Sequence, residues 1–571
     1  MTAANVLDRW GRGWRGPLLA ALLALVAGLP GVLGLPPLDR DESRFAEASA
    51  QMLETGDFVS IRFQDTPRFK KPVGIYWMQA LAVKALSQVE DRAIWAYRVP
   101  SLLGAMLAAA ACAWGAAAFL SPGSAMLAGM LLGGGFMLST EASIAATDAV
   151  LCGSVTLAMA ALGRVYLAGH AGPRAGRRVK ALFWAALALS ILVKGPIGPM
   201  VVGLALTMLC LWDRRVRWLK DLGWGWGLIG LAAAIGPWAL AVTVATDGAF
   251  WSASVGGDLA TKLAGESEGH GAPPGFYLAL APVLLFPATL LLPAGLVVGW
   301  RARAEPAVRF ALCWLMPSWL VFEATPTKLI HYTLPLYGAL AWLMARSVEP
   351  AAPGAEPVAA GPAARMVGAA LTLGAGLAFA SLGPVAMART GDLSGAPWAL
   401  VAGSLFIFAA TVGTLGLWRR RAASGALAAC VAAAVGHGVL AGAVAPALHP
   451  LWLSSAAADA LDEADVSPWQ GVIPGPVTVA GYAEPSLVFL LGSDTELGDA
   501  AAAARAIAQG RPAIVEGRED AAFRAALAAG GERAGAVGTV SGLDYSKGRA
   551  EILRLYRPPP PPVAVEARRR P

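Results

Sequence analysis

The chain has 571 residues, 56% hydrophobic and 15% charged, with a mean hydropathy of +0.57. Those values exclude an ordinary soluble enzyme of several domains. Apolar blocks of about 20 residues, enough to cross about 30 Å of hydrocarbon as helix, leave a helix bundle in lipid as the class that fits. A net charge of +7 and a pI near 9.3 would suit nucleic acid, but Arg and Lys cluster in short joints beside apolar runs. That is the pattern of membrane topology, so no nucleic-acid partner is expected.

In chain order, Arg9, Arg12 and Arg15 precede an apolar run from Pro17 to Leu35. No small-residue cleavage site closes it, so it reads as an uncleaved first span. Further spans are expected at 98–120, 122–139, 150–169, 180–194, 196–212, 223–245, 276–300, 308–323, 331–346, 366–388, 397–418 and 423–446, about 13 crossings in all. The five cysteines, Cys112, Cys152, Cys210, Cys313 and Cys430, lie in apolar runs without disulfide or metal-ligand spacing and read as packing residues.

With the N-terminus inside, the basic joints all fall on the inner side: Arg164, Arg174 to Lys180, Arg214 to Lys220, Arg301 with Arg303, Arg346, and Arg419 to Arg421. The same parity places residues 36–97, the joint from Thr140 to Asp148, the loop from Asp247 to Pro274 and everything after His449 outside. The expected organisation is a transmembrane domain over 1–446 with a large first outer loop, 36–97. A small α/β domain follows over 447–557, signalled by β-like runs after Pro476 and over Arg511 to Glu516 around an Ala-rich helix at 499–509. A Pro/Arg-rich tail, 558–571, is expected to be disordered.

Most polar chemistry lies in the outer pieces. The first loop opens Leu38-Asp39-Arg40-Asp41-Glu42-Ser43-Arg44-Phe45. This could be a solvated helix start, with Asp41 or Ser43 capping and the acids favoured by the dipole. Taken alone the residues favour that reading over the other, a fixed carboxylate that accepts a hydroxyl proton. Further on, Pro67-Arg68-Phe69-Lys70-Lys71-Pro72-Val73-Gly74-Ile75-Tyr76-Trp77 sets three cations beside aromatics. Such residues anchor proteins to headgroups, or bind a lipid-carrier phosphate and stabilise it as it departs. Asp148, directly before an apolar run, is costly unless it faces water or a partner.

The pattern Asp-Glu-x-Arg-aromatic followed by aromatic-x-Lys-Pro-x-x-x-Tyr-Trp resembles the ArnT-like branch of the GT-C glycosyltransferases, related to protein O-mannosyltransferases. The resemblance continues through Thr147-Asp148, Lys194-Gly195-Pro196-Ile197-Gly198, His270 before Gly275-Phe276-Tyr277-Leu278, and Lys328-Leu329-Ile330-His331-Tyr332-Thr333-Leu334-Pro335. It covers 1–346 best. It implies a GT-C fold, an all-α polytopic bundle with a small C-terminal α/β periplasmic domain.

The resemblance further implies catalytic carboxylates at Asp41 and Asp148, donor-phosphate contacts from Lys71, Lys194 and Arg44, and a substrate cavity involving Glu42, His270 and Tyr332. Phe45 replaces the more usual Tyr. Where relatives often have Phe-Glu-Lys-Pro, this chain has Phe69-Lys70-Lys71-Pro72, so a Glu that can help hold a metal is here a cation. No metal and no cofactor are therefore expected.

The implied reaction transfers a monosaccharide from a polyprenyl-phosphate donor to a lipid, such as lipid A, or a protein, on the periplasmic side of a bacterial inner membrane. Membrane lipids are the other expected partner. Such a donor needs no nucleotide site, and no Gly-rich phosphate loop is present. The alternatives are a protein O-mannosyltransferase-like enzyme, differing in acceptor, and a lipid-linked sugar transporter or flippase. The transporter would place its important charges near mid-span at inverted repeats, and no repeat is visible.

Overall fold

The computed structural model describes residues 3–171, 174–259, 271–350, 355–471 and 475–559. The chain divides into two units. The first comprises Met1–Leu35, Ala48–Val89 and Ala93–Ala447, and the second Pro36–Glu47, Glu90–Arg92 and the chain from Leu448 onward.

The first unit is helical. Eight of its described helices are individually long and apolar enough to cross a membrane, or up to ten crossings if each of two bent pairs counts as one. This is a multi-pass membrane protein. The bent pairs are Pro122–Gly133 with Phe136–Ala142, at 59°, and Phe276–Leu284 with Ala288–Arg301, at 114°. Three expected spans fall outside that set for local reasons. Helix Arg177–Lys194 carries Arg177, Arg178, Lys180 and Lys194, Ile197–Asp213 has 17 residues, and Tyr337–Arg346 has 10.

Small residues let these helices approach closely, as association in lipid requires. A Cβ on Gly104 would lie 2.6 Å from the Val150 Cα, and one on Gly153 would lie 2.4 Å from the Gly104 carbonyl oxygen. Helices Ile94–Ala116 and Asp148–Ala171 thus touch backbone to backbone. Fully buried Arg98 donates to the carbonyls of Gly31, Val32 and Leu35, supplying partners to the end of helix Arg15–Gly34. Near the other end of helix Asp148–Ala171, the Tyr166 hydroxyl donates to Asp213 at 2.7 Å. Arg309 and His170 pair with the same carboxylate, tying three helices together.

The second unit is α/β. Its five-stranded sheet runs in the order Glu496–Gly498, Thr478–Ala480, Ala513–Glu516, Arg549–Arg557, Gly535–Asp544. The first three strands are parallel, and the last two join them antiparallel. Alternate residues of the central strands fill two cores. Val479, Ile514 and Leu555 pack with Leu461 and Leu487, while Ala480 and Val515 pack with Ile507 and Phe523. The Ala-rich helix is Ala500–Ala508, with the Asp499 side chain accepting from the Ala502 N–H at 2.8 Å. Apart from Pro558 and Pro559, the expected disordered tail lies outside the described residues.

Candidate active site

Local helix chemistry brings Lys194 and Asp148 together in the first unit. Gly195, at φ +59°, stops helix Arg177–Lys194 in a conformation that favours glycine, leaving Lys194 at a helix C-terminus. Asp148 opens the next helix in the assembly of the site, Asp148–Ala171. Each charge therefore sits at the helix end that stabilises it. The Lys194 Nζ lies 2.5 Å from Asp148 Oδ1, and the Thr147 hydroxyl donates to Asp148 Oδ2 at 3.1 Å. The same ammonium stands 5.5 Å from the Tyr332 ring centroid.

Behind the pair lies a second layer that the sequence reading did not assign. His331 reaches Asp148 Oδ1 through Nε2 at 3.6 Å and Glu141 Oε1 through Nδ1 at 3.4 Å. His331 was visible only as a landmark beside Tyr332, and Glu141 only as one residue of an outer joint. No motif spacing connects them, because helix Phe136–Ala142 and the loop after Ala324 meet through the tertiary fold.

A cavity of about 540 Å³ opens on this cluster. Lys70, Lys71, Asp148, Lys194 and Tyr332 supply its polar wall, and Ile197, Met200, Phe250, Trp251, Val255, Val321 and Phe322 its apolar wall. Phe69 packs edge-on against Phe250, with ring centroids 5.6 Å apart, fixing the turn that carries the two lysines. Glu323 accepts from the Gly275 and Leu278 N–H groups at 2.9 and 3.1 Å, so it caps helix Phe276–Leu284. His270, expected in the cavity, lies outside the described residues.

Asp41, Glu42 and Arg44 belong to the second unit. Asp41 is the exposed first residue of helix Asp41–Thr55, and Arg44 is half-buried. Glu42 is buried and accepts from the Leu38 N–H at 2.8 Å, while the Ser43 hydroxyl donates to the Leu38 carbonyl at 2.5 Å. Both bonds tie the start of this helix to the chain just before it.

Among the described residues, Glu141, Asp148 and His331 are the one group of His, Cys, Asp or Glu side chains that converges enough to hold a metal, with ligand atoms all within 4.8 Å of one another. The donor set fits an ion poorly. Lys194 already sits on Asp148, and Lys70 and Lys71 line the adjoining cavity, so a divalent cation would meet ammonium groups where it needs anionic donors.

The fold matches the crystal structure of ArnT from Cupriavidus metallidurans bound to undecaprenyl phosphate. The TM-score is 0.73 at 20% identity, over 94% of this chain and 97% of that one. The apo ArnT structure matches with a TM-score of 0.71 at 19% identity, over 94% and 96%. This is the GT-C fold.

Curated proteins resemble the chain over part of its length. The chain is 30% identical over 316 residues to the undecaprenyl phosphate-alpha-4-amino-4-deoxy-L-arabinose arabinosyl transferase of Pseudomonas paraeruginosa, covering 54% of this chain and 55% of that protein. The Aeromonas salmonicida protein of the same name is 29% identical over 323 residues, 55% and 57% of the two chains. The chain thus spans about half the length of the curated relatives it matches. Residues 37–251 also match the family described as dolichyl-phosphate-mannose-protein mannosyltransferase.

Proposed function

We propose that this protein is a glycosyltransferase that moves a monosaccharide from a polyprenyl-phosphate donor to a lipid A-like or other acceptor at the periplasmic face of the inner membrane. The observation that carries this reading is the first-unit cavity, where Lys70, Lys71 and Lys194 share one space with an apolar wall. A lipid phosphate needs both kinds of surface at once. The names of the ArnT relatives support the same donor class.

In the proposed reaction an acceptor oxygen forms a bond to the anomeric carbon as the bond from that carbon to the phosphate oxygen breaks. The sugar carbon passes through an oxocarbenium-like state, and the acceptor proton goes to the base. Asp41 is the proposed base, on the strength of its motif. Asp148 binds or steers the sugar. The leaving phosphate gains one negative charge, which Lys71, Lys194 and Lys70 offset without an ion, and Arg44 assists through its motif position. Tyr332 backs the Lys194 ammonium.

A protein acceptor is the second reading, favoured by the match to the protein mannosyltransferase family. Mass spectrometry of lipid A, other glycolipids and periplasmic glycoproteins from a strain lacking the protein separates the two. Loss of a sugar from lipid A supports the first reading, loss from glycoproteins alone supports the second, and no loss anywhere contradicts both.

A further inference from the structure

The segment that carries Asp41 is pinned on both sides within the second unit. Ahead of it, the Asp39 N–H donates to the Tyr545 hydroxyl oxygen at 2.7 Å, the Ser486 hydroxyl donates to the Asp39 carboxylate, and the Arg40 guanidinium donates to the Ser546 carbonyl. Behind it, fully buried Glu47 accepts from the Ser493 hydroxyl at 2.6 Å and pairs with Arg92 at 3.1 Å. Arg92 in turn stands over the rings of Trp469 and Phe489, at 5.2 and 5.8 Å.

The Ser486 pin is built into the domain rather than laid on its surface. Ser486, Ser454 and Tyr482 are all buried, and their hydroxyls form a chain with spacings of 2.7 and 3.0 Å. Between the pins Arg40 is held at φ +64°, a left-handed conformation that a non-glycine residue keeps only when its surroundings determine it.

We infer that the C-terminal unit is a positioning device for the first-loop carboxylate, with Ser486 and Tyr545 clamping the chain before Asp41 and Ser493 and Arg92 clamping it after. A general base must be held within a fraction of an ångström of its working position, and the chain entering a helix at an exposed residue does not supply that by itself. These are positioning residues that act through Asp41. The inference rests on the reading of Asp41 as the base.

The test uses the full-length protein in lipid nanodiscs, with a purified polyprenyl-phosphate sugar as donor. Ser486→Ala, Tyr545→Phe and their double variant each leave the packing volume nearly unchanged while removing the front clamp. Expected is a fall in kcat of about 10- to 100-fold in the double variant, the scale of a misplacement near 1 Å, with the donor KM held within about twofold. Ser486→Thr, which keeps the hydroxyl, is expected to restore most of the turnover that Ser486→Ala loses.

Unchanged kcat in the double variant overturns the inference. So does a Ser486→Thr variant as impaired as Ser486→Ala, which marks the site as packing alone. Asp41→Asn, assayed alongside, separates the two levels of the argument. If it is inactive while the clamp variants are normal, only the clamp falls. If it turns over normally, the reading of Asp41 fails and the clamp falls with it.

Discussion

The Lys194 ammonium and the Asp148 carboxylate, 2.5 Å apart, join the end of one helix to the start of another at the wall of a cavity that pairs three lysines with an apolar lining. Removing one member of a buried pair leaves the other charge uncompensated. Lys194→Gln is expected to weaken donor binding by about 10- to 100-fold, the scale of a charged hydrogen bond. Asp148→Asn should cost less in binding and more in turnover. In a double-mutant cycle on donor affinity the two should be coupled by about 1 kcal/mol or more, and strict additivity would show that they act independently.

Lys70 leads to a prediction about metals. Transfer should be indifferent to chelator and to added magnesium, manganese or zinc, because ammonium groups already line the proposed phosphate site. Lys70→Glu should weaken donor binding by about tenfold or more, by exchanging an attraction for a repulsion. Reversible loss of wild-type activity on chelation, or stoichiometric zinc in the purified protein, would contradict this.

Asp39 makes the second unit sensitive to pH. Burial pushes its carboxyl up to about 6; the Ser486 hydrogen bond pulls it down, and Glu484 and Asp544 push it further up. A raised acid pKa means the folded state holds a proton that the unfolded state, with a pKa of about 3.9, has released. Stability from this group is therefore greatest below about pH 4, declines as pH rises to about 6, and stays low above that. Hydrogen exchange in residues 36–47, corrected for the intrinsic rate, should show stronger protection at the acid end of that window. Asp39→Asn should remove the dependence, and an unchanged profile in that variant would assign the effect to another group.

The basic joints lead to a prediction about topology. Reporter fusions after residues 215, 265 and 460 should read inside, outside and outside. An inside signal at 265 would place the neighbouring loop on the wrong face for a periplasmic enzyme.

Much of this was legible because hydrophobicity and helix punctuation are local. The run from Pro17 to Leu35 became helix Arg15–Gly34, and Asp148 was readable as a charge that apolar neighbours make costly, whereas Lys194 was readable only through the family resemblance. What stayed hidden depends on contacts distant in sequence. Glu141 and His331 meet Asp148 from separate elements, with no spacing to announce it. Glu47 and Arg92 look like ordinary loop charges until Ser493 and Trp469 are seen against them. The hairpin Gly535–Asp544 with Arg549–Arg557 was missed because glycines and arginines interrupt its alternation, although Leu553 and Leu555 are fully buried. Three of the expected spans were drawn from apolar runs whose helices are short or carry several cations.

The most direct test of the central claim is sugar transfer from a purified polyprenyl-phosphate donor by wild type and Asp41→Asn, at matched protein levels in the membrane. Asn keeps the size and much of the hydrogen bonding of Asp but cannot take the acceptor proton. The expected result is product from the wild type and a rate lower by about 100- to 10,000-fold from the variant, the range of general-base catalysis. No transfer by the wild type to any lipid or protein acceptor would contradict the account. Near-normal turnover by Asp41→Asn would remove that carboxylate from the mechanism.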